Sequence, residues 1–149
     1  MKTVNKSVLI WYSAEEMFRL VTDVPQYPKF LPWCDKAEIV SAEADGMTAR
    51  VGISFGGIHQ TFTTRNTHVP GREVHMQLID GPFSQLDGTW RFVPVGEAGA
   101  DPRACRIEFE LHYGFSSMAL SALVGPVFDR IAGSLVDAFV KRADDVYGT

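Results

Sequence analysis

The sequence predicts an α+β domain in which a curved antiparallel sheet of about seven strands wraps around one long C-terminal helix, with one or two short helices after the first strand. Three observations predict it. A strand-like opening segment runs directly into a capped amphipathic helix. From Lys36 to Tyr113 the apolar residues recur with a period of two, interrupted by Gly- and Pro-containing turns. Beyond that point they recur at three- and four-residue steps almost to the C-terminus. Strands grouped apart from helices place one helical layer on one face of the sheet.

Each element follows from local chemistry. Residues 3–12 form the first strand, with Val4, Val8, Ile10 and Tyr12 on one face. Ser13-Ala14-Glu15-Glu16 matches a capping box, and Met17, Phe18, Leu20 and Val21 supply the apolar side of the helix it opens. Asp23-Val24-Pro25 stops that helix, and residues 25–32 leave room for one further short turn. Ala37 and Ile39 then alternate with charged neighbours up to a hairpin at Ala44-Asp45-Gly46. Met47, Ala49, Val51, Ile53 and Phe55 alternate strictly with Thr48, Arg50, Gly52 and Ser54, the clearest half-buried strand in the chain. Gly56-Gly57 turns into residues 58–67, where Ile58, Gln60, Phe62 and Thr64 share a face. Pro70-Gly71 turns again, into residues 73–80 with Val74, Met76 and Leu78 inward. Gly81-Pro82-Phe83 interrupts before a strand carrying Leu86, Gly88, Trp90 and Phe92 on one face, where the missing side chain at Gly88 leaves space or admits another backbone. Residues 94–102 are predicted to be a mobile loop, and residues 103–113 the last strand, with Cys105, Ile107, Phe109, Leu111 and Tyr113 inward. The terminal helix carries Leu120, Leu123, Val124, Val127, Phe128, Ile131, Leu135, Phe139 and Val146 on its apolar stripe, and Gly125-Pro126 within it either kinks or splits it.

The 149 residues suit one domain, 1–149, with an ordinary apolar fraction of 46%. A net charge of −4 argues against a broad nucleic-acid footprint and against DNA as a partner. Cys34 and Cys105 have neither CxxC spacing nor a histidine at metal spacing; two buried free thiols are expected, with a disulfide left open. The first residues lack the apolar core of a signal peptide, and the all-apolar run at residues 118–124 is far short of the roughly 20 needed to cross a bilayer. A cytoplasmic location is therefore expected. His59, His68, His75 and His112 are scattered, and no metal, nucleophile or phosphate-loop motif is present. The sequence thus points to no catalytic residue, no metal site and no enzyme.

The most telling segment is Tyr27-Pro28-Lys29-Phe30-Leu31-Pro32-Trp33-Cys34. Two prolines exclude a central strand or a long helix, so a stiff irregular segment carries several large apolar side chains. Phe30, Leu31 and Trp33 are either the rim of a cavity or a plug against the first helix. Phe62, Met76, Leu78, Trp90, Phe92 and Phe109 point inward, as do the polar Gln60, Thr64 and Tyr113, which need partners.

Taken with Gly81-Pro82-Phe83, Leu86-Asp87-Gly88-Thr89-Trp90-Arg91-Phe92, and Val127-Phe128 followed by Ala138-Phe139 and Arg142-Ala143, that segment resembles the START-like (polyketide cyclase/dehydrase and lipid transport) superfamily, with the helix-grip fold. The resemblance covers the whole chain and is narrowest to the branch of coenzyme Q-binding proteins and ribosome-association toxins of the RatA type. It implies a cavity between sheet and C-terminal helix for a hydrophobic isoprenoid, ubiquinone first. No cofactor is required beyond that bound ligand, and the protein would act as carrier or chaperone in respiration, with transient contact to the inner membrane. The ligand-binding residues it implies are Phe30, Leu31, Trp33, Phe62, Met76, Leu78, Trp90, Phe92, Phe109, Tyr113, Leu120, Leu123, Val124, Phe128 and Leu135. The branch also implies an alternative, a toxin that binds the large ribosomal subunit and blocks subunit joining. A polyketide cyclase or aromatase is the lesser alternative.

Overall fold

The computed structural model describes residues 2–55, 57–95 and 104–148. Strand β1 (Lys2–Ile10) leads through Ser13 into α1 (Ala14–Thr22) and a short 3-10 helix (Val24–Lys29). Strands β2 (Cys34–Glu43), β3 (Gly46–Phe55), β4 (Ile58–Val69), β5 (Glu73–Asp80), β6 (Phe83–Pro94) and β7 (Cys105–Phe115) follow, and α2 (Met118–Tyr147) closes the chain. The seven strands form one antiparallel sheet in the order β1-β7-β6-β5-β4-β3-β2. The six later strands are a meander, and β1 returns to pair with β7, Val8 opposite Ile107. The helices thus bridge the two edges of the sheet, which is the predicted architecture.

Local chemistry sets the joints. The capping box forms in full: the Glu16 amide donates to Ser13 Oγ at 3.1 Å, and the Ser13 amide to Glu16 Oε1 at 2.9 Å. Ser117 caps α2 by accepting from the Leu120 amide at 3.1 Å. Pro126 stays inside a single continuous helix, so the Gly125-Pro126 pair does not split it; the proline only deprives the Ala122 carbonyl of its usual donor. By length and apolarity α2 could cross a membrane, with an 18-residue stretch of mean hydropathy 1.4, more than the run at 118–124 suggested. In this fold its apolar face lies against the sheet, where Val124, Phe128, Ile131, Val136 and Phe139 are buried.

Some boundaries move. β1 ends at Ile10 rather than at residue 12, because Trp11 and Tyr12 carry the chain away from the sheet towards the α1 cap. β6 begins at Phe83 itself, and β7 runs on to Phe115, its partner across the ladder. The expected loop at residues 94–102 falls almost wholly outside the described residues, as does Gly56 of the expected turn. Gly57 and Gly71 take positive φ (84° and 71°) in their turns, the conformation glycine tolerates best. Cys34 and Cys105 are both buried free thiols.

The core is aromatic. Trp90 lies 4.5 Å from Phe109 and 5.2 Å from Phe139 between ring centroids, and Phe128 packs against Tyr113 at 4.7 Å and Phe83 at 4.9 Å. Polar ties hold α2 at both ends: Asp129 accepts from Lys2 of β1 and Tyr113 of β7, Asp144 from Tyr12 at 2.6 Å, and the Tyr147 hydroxyl donates to the Glu16 carbonyl at 3.2 Å.

Candidate binding cavity

The closest backbone approach of α2 to the sheet is over β7 and β1. Towards β3 and β4 it stands off, and the short 3-10 helix and the Pro-rich segment fill part of the opening from the β2 side. That segment is held firmly. The Tyr27 hydroxyl donates to the Val21 carbonyl, the Leu31 amide to Tyr27 O at 2.9 Å, and the Ser54 amide of β3 to Trp33 O at 2.8 Å. What the segment does not fill is a cavity of about 90 Å3.

Five sets of side chains line it. Val24, Tyr27, Leu31 and Trp33 come from the segment; Ala49 and Val51 from β3; Phe62, Thr64 and Asn66 from β4. Met76, Leu86, Trp90, Phe109 and Leu111 come from β5–β7, and Phe128, Ile131, Ala132, Leu135 and Phe139 from α2. The register of β4 against β5 shifts between Thr63 and Thr64, where Ile79 of β5 is the extra residue, and both threonines are buried. Gly88 lies beneath the floor: a Cβ there would meet Leu111 Cδ1 and Met76 Cε at 3.0 Å each, so those two side chains occupy the space the glycine leaves.

Of the fifteen residues expected at a ligand, Leu31, Trp33, Phe62, Met76, Trp90, Phe109, Phe128 and Leu135 line this cavity. Seven lie elsewhere. Phe30 packs on the outer side of Phe139 at 5.1 Å, with the Arg142 guanidinium 5.1 Å above its ring. Phe92 sits on the α1 side, edge to face with Phe18. Tyr113 packs edge to face with Phe128 and donates to Asp129, which gives this inward hydroxyl its partner within the protein. Leu78 packs by Gly81, and Val124 is buried in the core away from the cavity. Leu120 is half-buried and Leu123 is 60% exposed, because the first turns of α2 overhang the sheet. Asn66, Phe139, Ile131 and Ala132 were missed, although Asn66 shares the strand parity of Phe62 and Thr64, and the α2 residues lie on its apolar stripe.

A surface groove of about 140 Å3 adjoins the cavity, lined by Pro32, Trp33, Phe55, Val127, Arg130, Ile131 and Ser134. Trp33 and Ile131 line both spaces and form the partition shared between them. Arg130 lies 5.8 Å from the centroid of the Phe55 ring at that mouth.

The chemistry of the lining is spare. Its one ionisable oxygen acid is Tyr27, and burial, then the neighbouring Cys34 and Asp23, push that phenol far above its ordinary range. No carboxylate or imidazole lines the cavity among the described residues. The histidines serve elsewhere: His75 Nε2 lies 2.7 Å from Asp87 and His112 Nε2 2.6 Å from Glu110, both on the outer sheet face. Burial lowers the pKa of His68, which packs edge-on against Phe18. The described residues hold no cluster fit for a metal ion. Such a lining suits apolar enclosure with a few oriented hydrogen bonds.

Known proteins agree with this architecture. The chain is 43% identical over 99% of its length, and 99% of the relative's, to the ribosome association toxin RatA of Vibrio cholerae serotype O1. It is 30% identical over 97% of its length to a coenzyme Q-binding protein COQ10 homolog B, mitochondrial, of Xenopus laevis, spanning 59% of that protein. The crystal structure of the Zhui aromatase/cyclase of Streptomyces sp. R1128 superposes with a TM-score of 0.80 over 96% of this chain and 93% of that one at 16% identity, a likeness of fold alone. Residues 10–140 match the family described as polyketide cyclase / dehydrase and lipid transport. A seven-strand sheet gripping one long helix over an apolar cavity, with these relatives along its full length, makes the chain a member of that polyketide cyclase/dehydrase and lipid transport family.

Proposed function

We propose that this protein binds a hydrophobic isoprenoid of the ubiquinone class between its sheet and α2, as a non-enzymatic carrier or chaperone in the cytoplasm that meets the inner membrane transiently to exchange its cargo. The observation that carries this reading is the apolar cavity, which shares Trp33 and Ile131 as a partition with an adjoining surface groove. Similarity to a protein named for coenzyme Q binding supports it. Size sets a condition. A volume of about 90 Å3 equals roughly three waters of the liquid and falls below the ~150 Å3 that suffices for benzene. A quinone ring therefore enters only if the partition swings outward into the groove and the standing-off part of α2 yields. Burial of about 300 Å2 of ligand would return several kcal/mol before ordering costs. The test is extraction of the purified protein into organic solvent with mass spectrometry, together with calorimetric titration by a short-chain ubiquinone. No extracted lipid and no heat of binding, with the fold intact, would sink the reading.

A second reading has its own support: full-length similarity to proteins named as ribosome association toxins, together with the small resting cavity. Here the protein would dock on the large ribosomal subunit through its exterior and impede subunit joining. Co-sedimentation with large subunits at low magnesium, persisting at physiological salt, is the expected result; retention only at very low salt would mark nonspecific charge attraction. A cyclase activity has less support, since the lining supplies no acid and base pair for proton transfer.

A further inference from the structure

The inner face of β4 is chemically unlike its neighbours. Beyond Phe62, where β3 presents Met47 and Ala49 and β5 presents Met76 and Leu78, β4 presents Asn66 and Thr64. Both are more than nine-tenths buried, at 5% and 6% exposure, and both line the cavity. Thr64 Oγ1 donates to Asn66 Oδ1 at 2.7 Å. That bond fixes which end of the amide faces the threonine. The Asn66 Nδ2 group, on a side chain that lines the cavity, makes no hydrogen bond among the described residues.

Its surroundings offer no substitute acceptor of consequence: the register partners of Asn66 are Met47 and Met76, with weakly accepting thioethers. Asparagine is poorly suited to a strand interior, and a buried amide without an acceptor destabilises the fold. The backbone around it is held rigidly. Arg65 Nη1 donates to the Asn66 carbonyl at 2.7 Å, and that carbonyl lies so close to Gly46 that a Cβ there would stand 1.8 Å from it. An unpaired donor on a side chain held by a neighbouring hydroxyl and a gripped strand, in the wall of an apolar cavity, has the form of a recognition point.

We infer that Asn66, oriented by Thr64, donates a hydrogen bond to a carbonyl oxygen of the cavity's ligand, so the site selects carbonyl-bearing rings over plain hydrocarbons of the same shape. This rests on the proposed ligand-binding reading and assigns its polar contact. The opposite face of the ring meets only apolar side chains, such as Leu135 and Ile131 of α2, so one oxygen is recognised and the rest of the molecule is enclosed by fit.

The test compares duroquinone, a fully methylated benzoquinone without a position for thiol addition, with durene, the same ring lacking the carbonyls. Calorimetry on the wild-type chain is expected to give about tenfold tighter binding of the quinone, the factor of one net hydrogen bond. The Asn66 side-chain amide resonances should shift with quinone and not with durene. Asn66→Leu should abolish the preference while keeping durene binding; because it removes an unpaired donor and also the acceptor of the Thr64 hydroxyl, its melting is recorded beside it to confirm the fold. Thr64→Val, which deletes only the orienting hydroxyl, should weaken the preference in a chain whose shape is unchanged, and it serves where Asn66→Leu does not fold. Equal binding of both probes by wild type, or an undiminished preference in either variant, overturns this assignment and leaves the cavity reading standing. Failure of both probes to bind wild type overturns both.

Discussion

The two halves of the concave face are built differently. Under β6 and β7, large rings interlock: Trp90, Phe109, Tyr113 and Phe128 fill the space between the sheet and the nearest part of α2. Under β3 and β4, small and polar residues face a receding helix: Ala49, Val51, Thr64 and Asn66 opposite Ala132 and Leu135. The first half is a solid wedge that sets the angle of α2; the second is what the wedge leaves open. The cavity is thus a consequence of asymmetry in packing, with tight joints on one side and short side chains on the other.

The largest effect should come from breaking the solid half. Trp90→Ala is expected to lower stability by about 3–5 kcal/mol in thermal or urea unfolding, because its neighbours Phe109 and Phe139 are anchored on separate elements and cannot collapse into the hole. The two cysteines sharpen the contrast next, one in each half. Burial pushes both thiols up to about 11, so neither should react in the folded protein at pH 8. Under mild denaturant Cys34, beside the Pro-rich segment, should be alkylated about tenfold faster than Cys105 in β7, read by mass spectrometry, if the open half unfolds locally first. Equal rates would mean that the halves open together.

Tyr113→Phe probes the tie between them. Burial pushes the Asp129 carboxyl up, but hydrogen bonds from Lys2 and Tyr113 outweigh it and hold the group below the ordinary carboxylate value. A depressed carboxylate adds stability above its unfolded pKa, and that stability is lost as pH falls through the folded value. Removing the phenol should cost about 1 kcal/mol at neutral pH and start acid unfolding at a higher pH, followed by circular dichroism. The smallest effect is expected in the open half. Ala49→Val adds two methyl groups at the cavity wall, so stability should change by less than about 1 kcal/mol, in the favourable direction, while ligand capacity falls.

Much of this was legible in the chain. The alternation from Met47 to Ile53, the Ser13–Glu16 box and the apolar stripe of α2 as far as Ala143 each appear where the pattern put them, while Phe55 and Val146, expected on the buried faces, are exposed at the ends of their elements. Alternation tells which face a residue is on, and it did so for Phe62, Met76, Trp90 and Phe109. It does not tell how far the opposing helix stands from each strand. Phe92 and Tyr113 were therefore grouped with the cavity although α1 and Asp129 claim them. Leu123 was grouped there although the helix overhangs the sheet edge. Asn66 was missed because polarity within an inward register reads as an exception unless its partner is known, and the Thr64 hydroxyl two residues away on the same face is that partner.

The partition made by Trp33 and Ile131 has a kinetic consequence. One side chain belongs to a stiff proline-framed segment and the other to α2, so the passage can clear by rotation about a few side-chain bonds while every backbone hydrogen bond persists. Exchange through such an aperture would be decoupled from global melting: a thermally hardened variant with the same two side chains should load and release as quickly as its parent. Shortening Ile131 should accelerate both steps, and release more than loading, since the same side chain also lines the cavity.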